Sequence, residues 1–422
     1  MNEDIVINQP SCADAVDRGA LSVADAMQRI NTLIHDIEDT ELLPLRHSLD
    51  RILAEDVYST INVPGHTNSA VDGYAISSAD LDNVTTKLLT VTGTAFAGQP
   101  FTKNVQTGQC VHVMTGAKMP PGTDTVVMQE HVLLGNNTIR FNPGYKAGQN
   151  VRKAGEDLKI GQIAITAGKK LSPAELGMLA SMGIAEVNVV RKLRVAFFST
   201  GNELRSLGEK LGEGEIYDSN RYTLHGMLSR LPVEIEDLGV IPDDPRAMHS
   251  AFLRASTNSD VVITTGGVSV GQADFVKQVI NEVGNVDFWK LAIKPGRPLA
   301  FGKINDAVFF GLPGNPVAVM VTFYQFVQPT LKRMMGQADI EQPKFKVTCE
   351  SPLKKKSGRV EYYRGILSTD SDGRVTVRKA GMQGSGILST MSKANCFIVL
   401  PSDRSNVEPG QLVDVQPFEG LY

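Results

Sequence analysis

Three glycine-rich segments are the first candidates for chemistry in this chain of 422 residues. They are Ser199–Leu204, Thr264–Asp274 and Gly311–Pro316, and each follows a run of apolar residues typical of a buried strand. Glycine at such a turn lets backbone N–H groups approach an anion closely, and the N-terminus of a following helix adds a favourable field. Tight strand-to-helix turns also need glycine for purely structural reasons, so one such loop is weak evidence. Together the three loops indicate an anion site.

Carboxylates stand beside these loops. Glu203, Asp243 and Asp274 each fall just beyond a predicted strand, so they could converge on one edge of a sheet. Carboxylates gathered there would hold Mg²⁺, which would offset the charge of a bound pyrophosphate. Taken singly, Asp243 is better explained as a helix cap, and Asp274, which directly precedes a predicted helix, could also be one. The chain has no HExxH or CxxC spacing, so an oxygen-ligated metal is favoured over zinc.

A local cluster of cations follows in the sequence. Lys290, Lys294 and Arg297 lie within KLAIKPGRP, where prolines stiffen the segment around Arg297. Such a segment suits the binding of phosphate or another oxyanion. The alternative is a solvated basic turn, which is how most charge clusters are used.

In the N-terminal half, small and turn-forming residues surround Asp72, and an ordinary Asx-turn would explain that residue. Thr115 and the stretch from Arg152 to Asp157 would also pass as ordinary turns. From the residues alone, the chain is therefore an anion-binding multidomain α/β protein with a magnesium requirement.

Composition limits the class of protein. The formal net charge of −4 gives no reason to expect nucleic acid or an anionic membrane as a partner. No apolar run approaches the roughly 20 residues that span a bilayer, and the N-terminus lacks the apolar core of a secretory signal. Four scattered cysteines fit reduced thiols in a cytosol, so we expect a cytoplasmic protein.

The elements that must position these residues change character along the chain. Ser22 with Asp25 resembles a capping box, and a second helix is expected at about 172–182. Short β-type runs separated by turns occupy about 59–150 and return after about 340. Between them, from about 191 to 335, strands and helices alternate, which predicts a parallel sheet covered by helices on both faces. A long helix is expected from the Gly311–Pro316 loop through Met335.

Eight segments together resemble the MoeA family of molybdopterin molybdenumtransferases, whose eukaryotic relatives include the C-terminal domain of gephyrin. They occur in family order: SAVDGYA (69–75), MTGAKMPPGTDTVVMQE (114–130), VRKAGED (151–157), STGNEL (199–204), DSN (218–220), ITTGGVSVGQAD (263–274), KLAIKPGRP (290–298) and GLPGNP (311–316). The resemblance covers nearly the whole chain. It differs from the common pattern at Val71, where methionine is usual, and at Asn202, where aspartate is usual. The second difference puts a metal role for position 202 in doubt.

The resemblance implies a multidomain α/β fold with four regions and a leader. We expect a leader at 1–20, a helical stalk at 21–58 and 155–190, and an inserted β-rich domain at 59–154. A molybdopterin-binding α/β domain with a parallel-rich sheet would occupy 191–338, and a C-terminal β-barrel-like domain 339–422. Family members form elongated homodimers in which the β-rich domain of one chain completes the cleft of its partner.

The resemblance also assigns roles to residues of this chain. Glu203, Asp243 and Asp274 match functional acids and metal ligands, and Asp72, Thr115 and Asp157 match further catalytic positions. The expected substrate-binding residues are Arg152, Lys290, Lys294, Arg297, Arg364 and Ser385, the last two being associated with molybdate.

The implied reaction is insertion of molybdenum into adenylated molybdopterin with release of AMP, the last step in making molybdenum cofactor. Mg²⁺ is the expected cofactor, molybdate and adenylated molybdopterin are the substrates, and contact with the molybdopterin adenylyltransferase is expected. Two alternatives are an adenylyltransferase itself, which shares the α/β domain, and a gephyrin-like scaffold that binds peptides. The adenylyltransferase domain usually stands alone, so residues 1–190 and 340–422 argue against that alternative.

Overall fold

A computed structural model describes residues 19–81, 88–267 and 273–418 of the chain, with only the backbone described for 273–277. Most of the expected leader, including Cys12, lies outside these residues. None of the helices in the described ranges is long and apolar enough to cross a membrane. The three cysteines within them are buried free thiols, and burial raises the pKa of Cys110 and of Cys396 to about 12.

The predicted stalk contains two α-helices, and each is capped by the serine that precedes it. The first is Val23–Leu33, where the Ser22 hydroxyl accepts from the Asp25 N–H at 3.1 Å. The second is Pro173–Ser181, whose Ser172 and Glu175 form a capping box. Two short antiparallel ladders and a 3₁₀ turn complete this region: Thr40–Pro44 with Glu186–Val190, Val57–Tyr58 with Ile163–Ile165, and Leu45–His47.

The inserted region is a six-stranded mixed sheet with a short flanking ladder. Its strands, in spatial order, are Thr125–Met128, Gly73–Ile76, Gln109–Val113, Leu89–Ala95, Thr138–Phe141 and Val132–Leu134. A turn at 135–137 joins the last two strands in a hairpin. Two 3₁₀ turns and one ladder lie beside the sheet: Ser78–Asp80, Gln129–His131, and Asn68–Ser69 with Val151–Arg152.

The third region is a six-stranded sheet, the central sheet, with helices on both faces. Its spatial order is Val233–Ile241, Leu193–Thr200, Val261–Thr265, Ala307–Leu312, Pro298–Ile304 and Gly284–Lys290. The first four strands are parallel, and the last two are antiparallel to their neighbours. Alternate residues of one strand enter separate cores, since Val195 and Phe197 pack on one face and Ala196 and Phe198 on the other.

Five helices of the described residues follow the strands of this region, which agrees with the predicted alternation of strands and helices. They are Ser219–Leu228, Pro245–Asn258, Ala273–Val283, Pro316–Thr322 and Gln328–Met334. The single long helix predicted after Pro316 contains a π-helical turn at Phe323–Val327. Pro329 has no N–H to donate to the carbonyl of Gln325, so an unbroken α-helical ladder is impossible there. A short parallel pair not expected from the sequence, Leu204–Arg205 with Ile216–Tyr217, extends beyond the sheet.

The C-terminal region is a closed five-stranded barrel. Around the barrel the strands are Val360–Thr369, Val375–Lys379, Phe345–Cys349, Leu412–Pro417 and Cys396–Leu400, and the last pairs with the first. One helix, Ser389–Lys393, lies beside it. The barrel is joined to the central sheet's loops because Ile293–Lys294 pairs in parallel with Val360–Glu361. The expected multidomain α/β fold, with a parallel-rich sheet and a C-terminal barrel, is confirmed.

Candidate functional site

A cleft of about 430 Å³ lies at the carboxyl ends of the parallel strands, where the central sheet meets the barrel. All three predicted glycine-rich loops contribute to its wall, as expected for ligand sites on parallel sheets. The described residues that line it are Thr200, Gly201, Glu203, Asp243, Gly266, Gly267, Ile293, Lys294, Pro295, Gly296, Arg297, Pro298, Pro313, Gly314, Asn315, Ala318, Arg359, Gln383, Gly384 and Ser385.

One edge of the cleft is acidic. Glu203 and Asp243 come from neighbouring loops and both line it. Burial raises the pKa of Asp243, and the negative charge of Glu203 raises it further, while a hydrogen bond from the Asn202 N–H opposes both. Asp243 is not the cap of the following helix, because Asp244 performs that role by accepting from the Ala247 N–H at 2.9 Å. The helix-cap alternative for Asp243 is therefore wrong.

Asn202 joins the two loops that carry these acids. Its backbone N–H donates to Asp243 Oδ2 at 3.3 Å, and its side-chain Oδ1 accepts from the Asp243 N–H at 3.1 Å. An aspartate at this position would add a third negative charge to the edge. The amide instead fixes the loops to each other without that repulsion.

A divalent cation fits this edge. Two carboxylates that repel each other are stabilised by a hard cation that prefers oxygen ligands, such as Mg²⁺. Asp274 is the second residue of the helix Ala273–Val283, and its side chain is outside the described residues. Within the described part of the chain, no group of three or more potential ligands gathers at one point.

Glycine at position 266 is required by the close approach of two loops. Gly266 has φ of +89°, and a Cβ atom there would lie 2.6 Å from the Thr200 carbonyl oxygen. Beside it, the Asn220 amide donates to the Gly314 carbonyl at 2.7 Å. Among the described residues, the buried oxygens Thr200 Oγ1, Asn220 Oδ1 and Asp218 Oδ2 have no hydrogen-bond partner. Of the residues that carry these oxygens, Thr200 lines the cleft, whereas Asp218 and Asn220 are not among its lining residues.

Another part of the cleft, its basic side, carries cations. Lys294 and Arg297 both line it, within a loop that the Leu291 N–H closes by donating to the Arg297 carbonyl at 2.7 Å. Lys294 Nζ lies 3.5 Å from Glu361 Oε2 on the barrel strand. Lys290, only four residues earlier, ends a strand opposite Pro298 and is not among the lining residues.

The barrel contributes Ser385, together with two residues that sequence reasoning missed, Arg359 and Gln383. Arg359 and Gln383 reach the cleft only because the barrel packs against the loops of the sheet. Asn315 of the GLPGNP loop also lines the cleft without having been singled out. The signal for Asn315 was its loop, whereas nothing in local spacing indicates Arg359 or Gln383.

Arg364 lies behind the wall. It is 1% exposed, and its Nη2 donates to the carbonyls of Gly384 at 2.9 Å and Met382 at 3.2 Å. Its Nε donates to Thr390 Oγ1 at 3.1 Å, and burial lowers the pKa of the guanidinium to about 10. Arg364 therefore holds in place the loop that carries Ser385.

The expected residues of the N-terminal half lie elsewhere. The Thr115 N–H and hydroxyl each donate to Asp72 Oδ1 at 2.7 Å, so these two residues are together, and Asp72 is not in a local Asx-turn. Arg152 pairs with Asn68 in a two-residue ladder, and the Asp157 N–H donates to the Val63 carbonyl. Of the described residues that line the cleft, none belongs to the segment 59–157.

Family models match three consecutive parts of the chain. Residues 21–183 match "MoeA N-terminal region (domain I and II)" and residues 196–333 match "Probable molybdopterin binding domain". Residues 346–418 match "MoeA C-terminal region (domain IV)". The three matches together leave few residues of the chain uncovered after residue 20.

Curated relatives match over almost the full length. The molybdopterin molybdenumtransferase of Haemophilus influenzae is 47% identical over 90% of this chain and 95% of its own length. The molybdopterin molybdenumtransferase of a Nostoc species is 36% identical over 92% of both chains. Gephyrin of Dictyostelium discoideum is 31% identical over 94% of this chain and 61% of its own length.

A solved structure has the same fold. The molybdopterin biosynthesis moeA protein of Pyrococcus horikoshii superposes with a TM-score of 0.82 at 30% identity. The match covers 94% of this chain and all of that one. With the family models and the relatives of high coverage, this similarity shows that the chain belongs to the MoeA family.

Proposed function

We propose that this enzyme inserts molybdenum into adenylated molybdopterin and releases AMP, which is the final step of molybdenum cofactor biosynthesis. The observation that carries the proposal is the cleft itself. It combines an acidic edge at Glu203 and Asp243 with a basic side at Lys294 and Arg297, and it has loops whose glycines admit a phosphate chain. The curated name of its relatives, molybdopterin molybdenumtransferase, agrees with the molybdenum insertion step.

Each part of the cleft has a role in this proposal. The turns at Gly266 and Gly314 bind the pyrophosphate of the adenylated substrate. Lys294, Arg297 and Ser385, which line the cleft, bind the molybdate dianion, and Lys290 adds positive charge from outside the lining. Arg364 contributes indirectly, because its bonds to Met382 and Gly384 hold the Ser385 loop.

Glu203 and Asp243, with Asp274, would hold Mg²⁺. When bound there, the ion offsets the charge that builds up on the phosphoanhydride as it is cleaved. The chain's own residues position the two substrates and stabilise their charges, so no nucleophilic side chain is needed. Asp243 is already held by Asn202, which keeps the acidic edge preformed.

We further propose that the enzyme works as a homodimer in which the partner's inserted sheet completes each cleft. Asp72, Thr115, Arg152 and Asp157 are expected site residues, yet none of them lines the cleft of its own chain. A partner chain would bring these residues to the cleft. The enzyme would act in the cytoplasm and receive its substrate from the molybdopterin adenylyltransferase.

Turnover of purified protein tests the reaction. Incubation with adenylated molybdopterin, Mg²⁺ and molybdate should release AMP, and omission of molybdate should prevent the release. Glu203→Gln should reduce the rate by about 100-fold, since it removes one charge from the acidic edge. Asp244→Asn, which changes the neighbouring helix cap and not the cleft, should keep most of the activity. AMP release that is independent of molybdate, or unaffected by Glu203→Gln, would contradict the proposal.

A further inference from the structure

A buried carboxylate lies next to the cations of the cleft, where its negative charge would weaken the binding of an anion. Glu361 lies on the barrel strand Val360–Thr369 and is 4% exposed. The parallel ladder between Ile293–Lys294 and Val360–Glu361 sets Glu361 directly beside Lys294. Because backbone pairing fixes this position, the contact between the two side chains is built into the fold.

Glu361 has two lysines near it, Lys355 and Lys294, and their side chains differ in how freely they can move. Lys355 is 5% exposed, and its ammonium donates to the carbonyls of Arg404 at 2.8 Å, Lys356 at 3.2 Å and Ser402 at 3.5 Å. That ammonium is fixed by the barrel. The side chain of Lys294 is 52% exposed and lines the cleft. Of these two cations, Lys294 is the one that can turn toward a ligand.

The ion pair between Lys294 and Glu361 is loose. Its N–O distance is 3.5 Å, against about 2.7–2.9 Å for a well-formed charge-assisted hydrogen bond. Lysine carries its charge on a flexible stem, so exchanging one counter-ion for another requires only side-chain rotation. The ammonium is therefore held near the cleft without being committed to the carboxylate.

We propose that Glu361 is the counter-ion of Lys294 in the empty cleft, and that an oxyanion substrate replaces it. This inference rests on the proposed function, in which the oxyanion is molybdate. Glu361 does not touch the substrate and is an affinity-setting, positioning residue. Its negative charge lowers the affinity of the empty cleft for anions in general, which keeps Lys294 from being occupied by sulfate or phosphate.

The exchange predicts a gain of affinity when the carboxylate is removed. Glu361→Gln keeps the shape of the side chain but leaves Lys294 without its counter-ion. We expect the dissociation constant for molybdate, measured by calorimetry on the full-length protein, to fall about tenfold. The dependence on salt should become steeper, because one more cation is available to the ligand. The KM for molybdate in AMP release should fall in parallel.

The chain offers a matched control on the same barrel. Lys346 and Asp414 also form a cross-strand pair with an N–O distance of 3.5 Å, and neither lines the cleft. Asp414→Asn removes the same charge from the protein, and its molybdate affinity should equal that of the wild type. A gain in this variant would show that net charge alone explains the effect.

A second control isolates the exchange. When Lys294 is already replaced by alanine, adding Glu361→Gln should change the affinity for molybdate very little. The cation that the carboxylate would otherwise hold is absent from that variant. An equal gain in that background, or unchanged or weaker binding in Glu361→Gln alone, would overturn the proposal. A purely structural role would lower the thermal midpoint without tightening binding. If the wild type failed to release AMP, the proposed function would be contradicted. The comparison of molybdate affinity between the wild type and Glu361→Gln would still test the ion-pair exchange.

Discussion

Asp72 shows how one residue can be prepared for chemistry by a neighbour far away in the sequence. The Thr115 N–H and hydroxyl both donate to its Oδ1, and these bonds lower the pKa of the carboxyl group. Asp72 is only partly buried, so its carboxylate stays ionised while open to a ligand or to another chain. The spacing of the two residues in the sequence does not indicate this contact.

Thr115→Val should raise the pKa of Asp72 part of the way to its ordinary value. The backbone bond, which is the larger cause, remains, and only the hydroxyl bond is lost. Because the pKa is depressed in the folded protein, these bonds stabilise the fold above the ordinary carboxyl range. That stabilisation is lost as the pH falls through the depressed pKa. The carboxyl carbon chemical shift of Asp72, followed by NMR against pH, measures the change.

Ser78→Ala provides the control for this titration. Ser78 donates to Asp124 in the same inserted region, so its loss should affect Asp124 and leave the Asp72 titration where it was. Equal titration curves for Asp72 in the wild type and in Thr115→Val would show that the hydroxyl bond has no effect.

Arg364 was expected from the family resemblance to bind molybdate, and its contacts suggest a test of an indirect role. Arg364→Lys keeps a positive charge, but a single ammonium cannot reproduce the bonds to Gly384, Met382 and Thr390. We expect a loss of about 1–3 kcal/mol in the free energy of unfolding, measured with urea. The KM for molybdate should rise, because Ser385 is no longer held.

Arg378→Lys, on the adjacent barrel strand and exposed, should change neither quantity. Full stability with a raised KM in Arg364→Lys would instead indicate direct contact with the substrate.

The cleft residues that follow strands can be predicted from the sequence, whereas those that the barrel contributes cannot. Glu203 and Asp243 were predictable because the carboxyl ends of parallel strands meet at one edge. Arg359 and Gln383 were not, since their position depends on the packing of two regions that are distant in sequence. Lys290 and Lys294 had the same signal, and only the strand pairing at Pro298 separates them.

At the scale of elements, the turns between strands and helices determine the cleft. Periodicity and capping residues predicted most of these elements, including the helix at Pro173–Ser181 with its capping box. They did not predict the antiparallel edge strand Gly284–Lys290 or the π-helical turn at Phe323–Val327. An edge strand is chosen by tertiary packing, and a π turn depends on hydrogen bonds that the apolar pattern does not encode.

Gly266→Ala should disrupt the cleft through its loop. The added Cβ would meet the Thr200 carbonyl at 2.6 Å, in a backbone conformation that alanine rarely adopts. We expect a loss of about 1–3 kcal/mol in unfolding free energy and AMP release reduced at least tenfold. Chemical denaturation and turnover, measured on the same preparation, test the two effects.

Gly314→Ala is the matched control, since its nearest atom outside the adjacent residues would be 3.9 Å away. It should retain the stability of the wild type. If Gly266→Ala were as stable as Gly314→Ala, the close approach of the two loops would not be what requires glycine at position 266.

At the scale of the whole molecule, composition and the pattern of strand and helix signals predicted several regions but not how these regions pack together. The first helix illustrates why. Ala26 and Ile30 belong to the predicted stalk, yet they pack in the same core as Leu193 and Phe310 of the central sheet. Such long-range packing leaves no local pattern in the sequence. The relation between the inserted sheet and the cleft is of the same kind.

The proposed shared cleft can be tested by mixing two inactive variants. Asp72→Ala removes an expected site residue of the inserted sheet, and Glu203→Gln alters the acidic edge of the cleft itself. If each cleft takes Asp72 from one chain and Glu203 from the other, a mixed dimer has one cleft with both residues intact. Random exchange of equal amounts makes half of the dimers mixed, so about a quarter of all clefts should recover activity, given twofold symmetry.

The measurement is AMP release before and after exchange, with the mixed dimer verified by differential tagging and its mass by light scattering. Asp72→Ala combined with Glu203→Gln in a single chain, mixed with wild type, provides the control. A mixed dimer of that kind has one altered residue in each cleft, so activity should fall to that of the remaining wild-type dimers, about a quarter of the total. If both residues served the cleft of their own chain, the first mixture would stay inactive. The second mixture would then keep half of its activity, because every wild-type chain would retain a complete cleft.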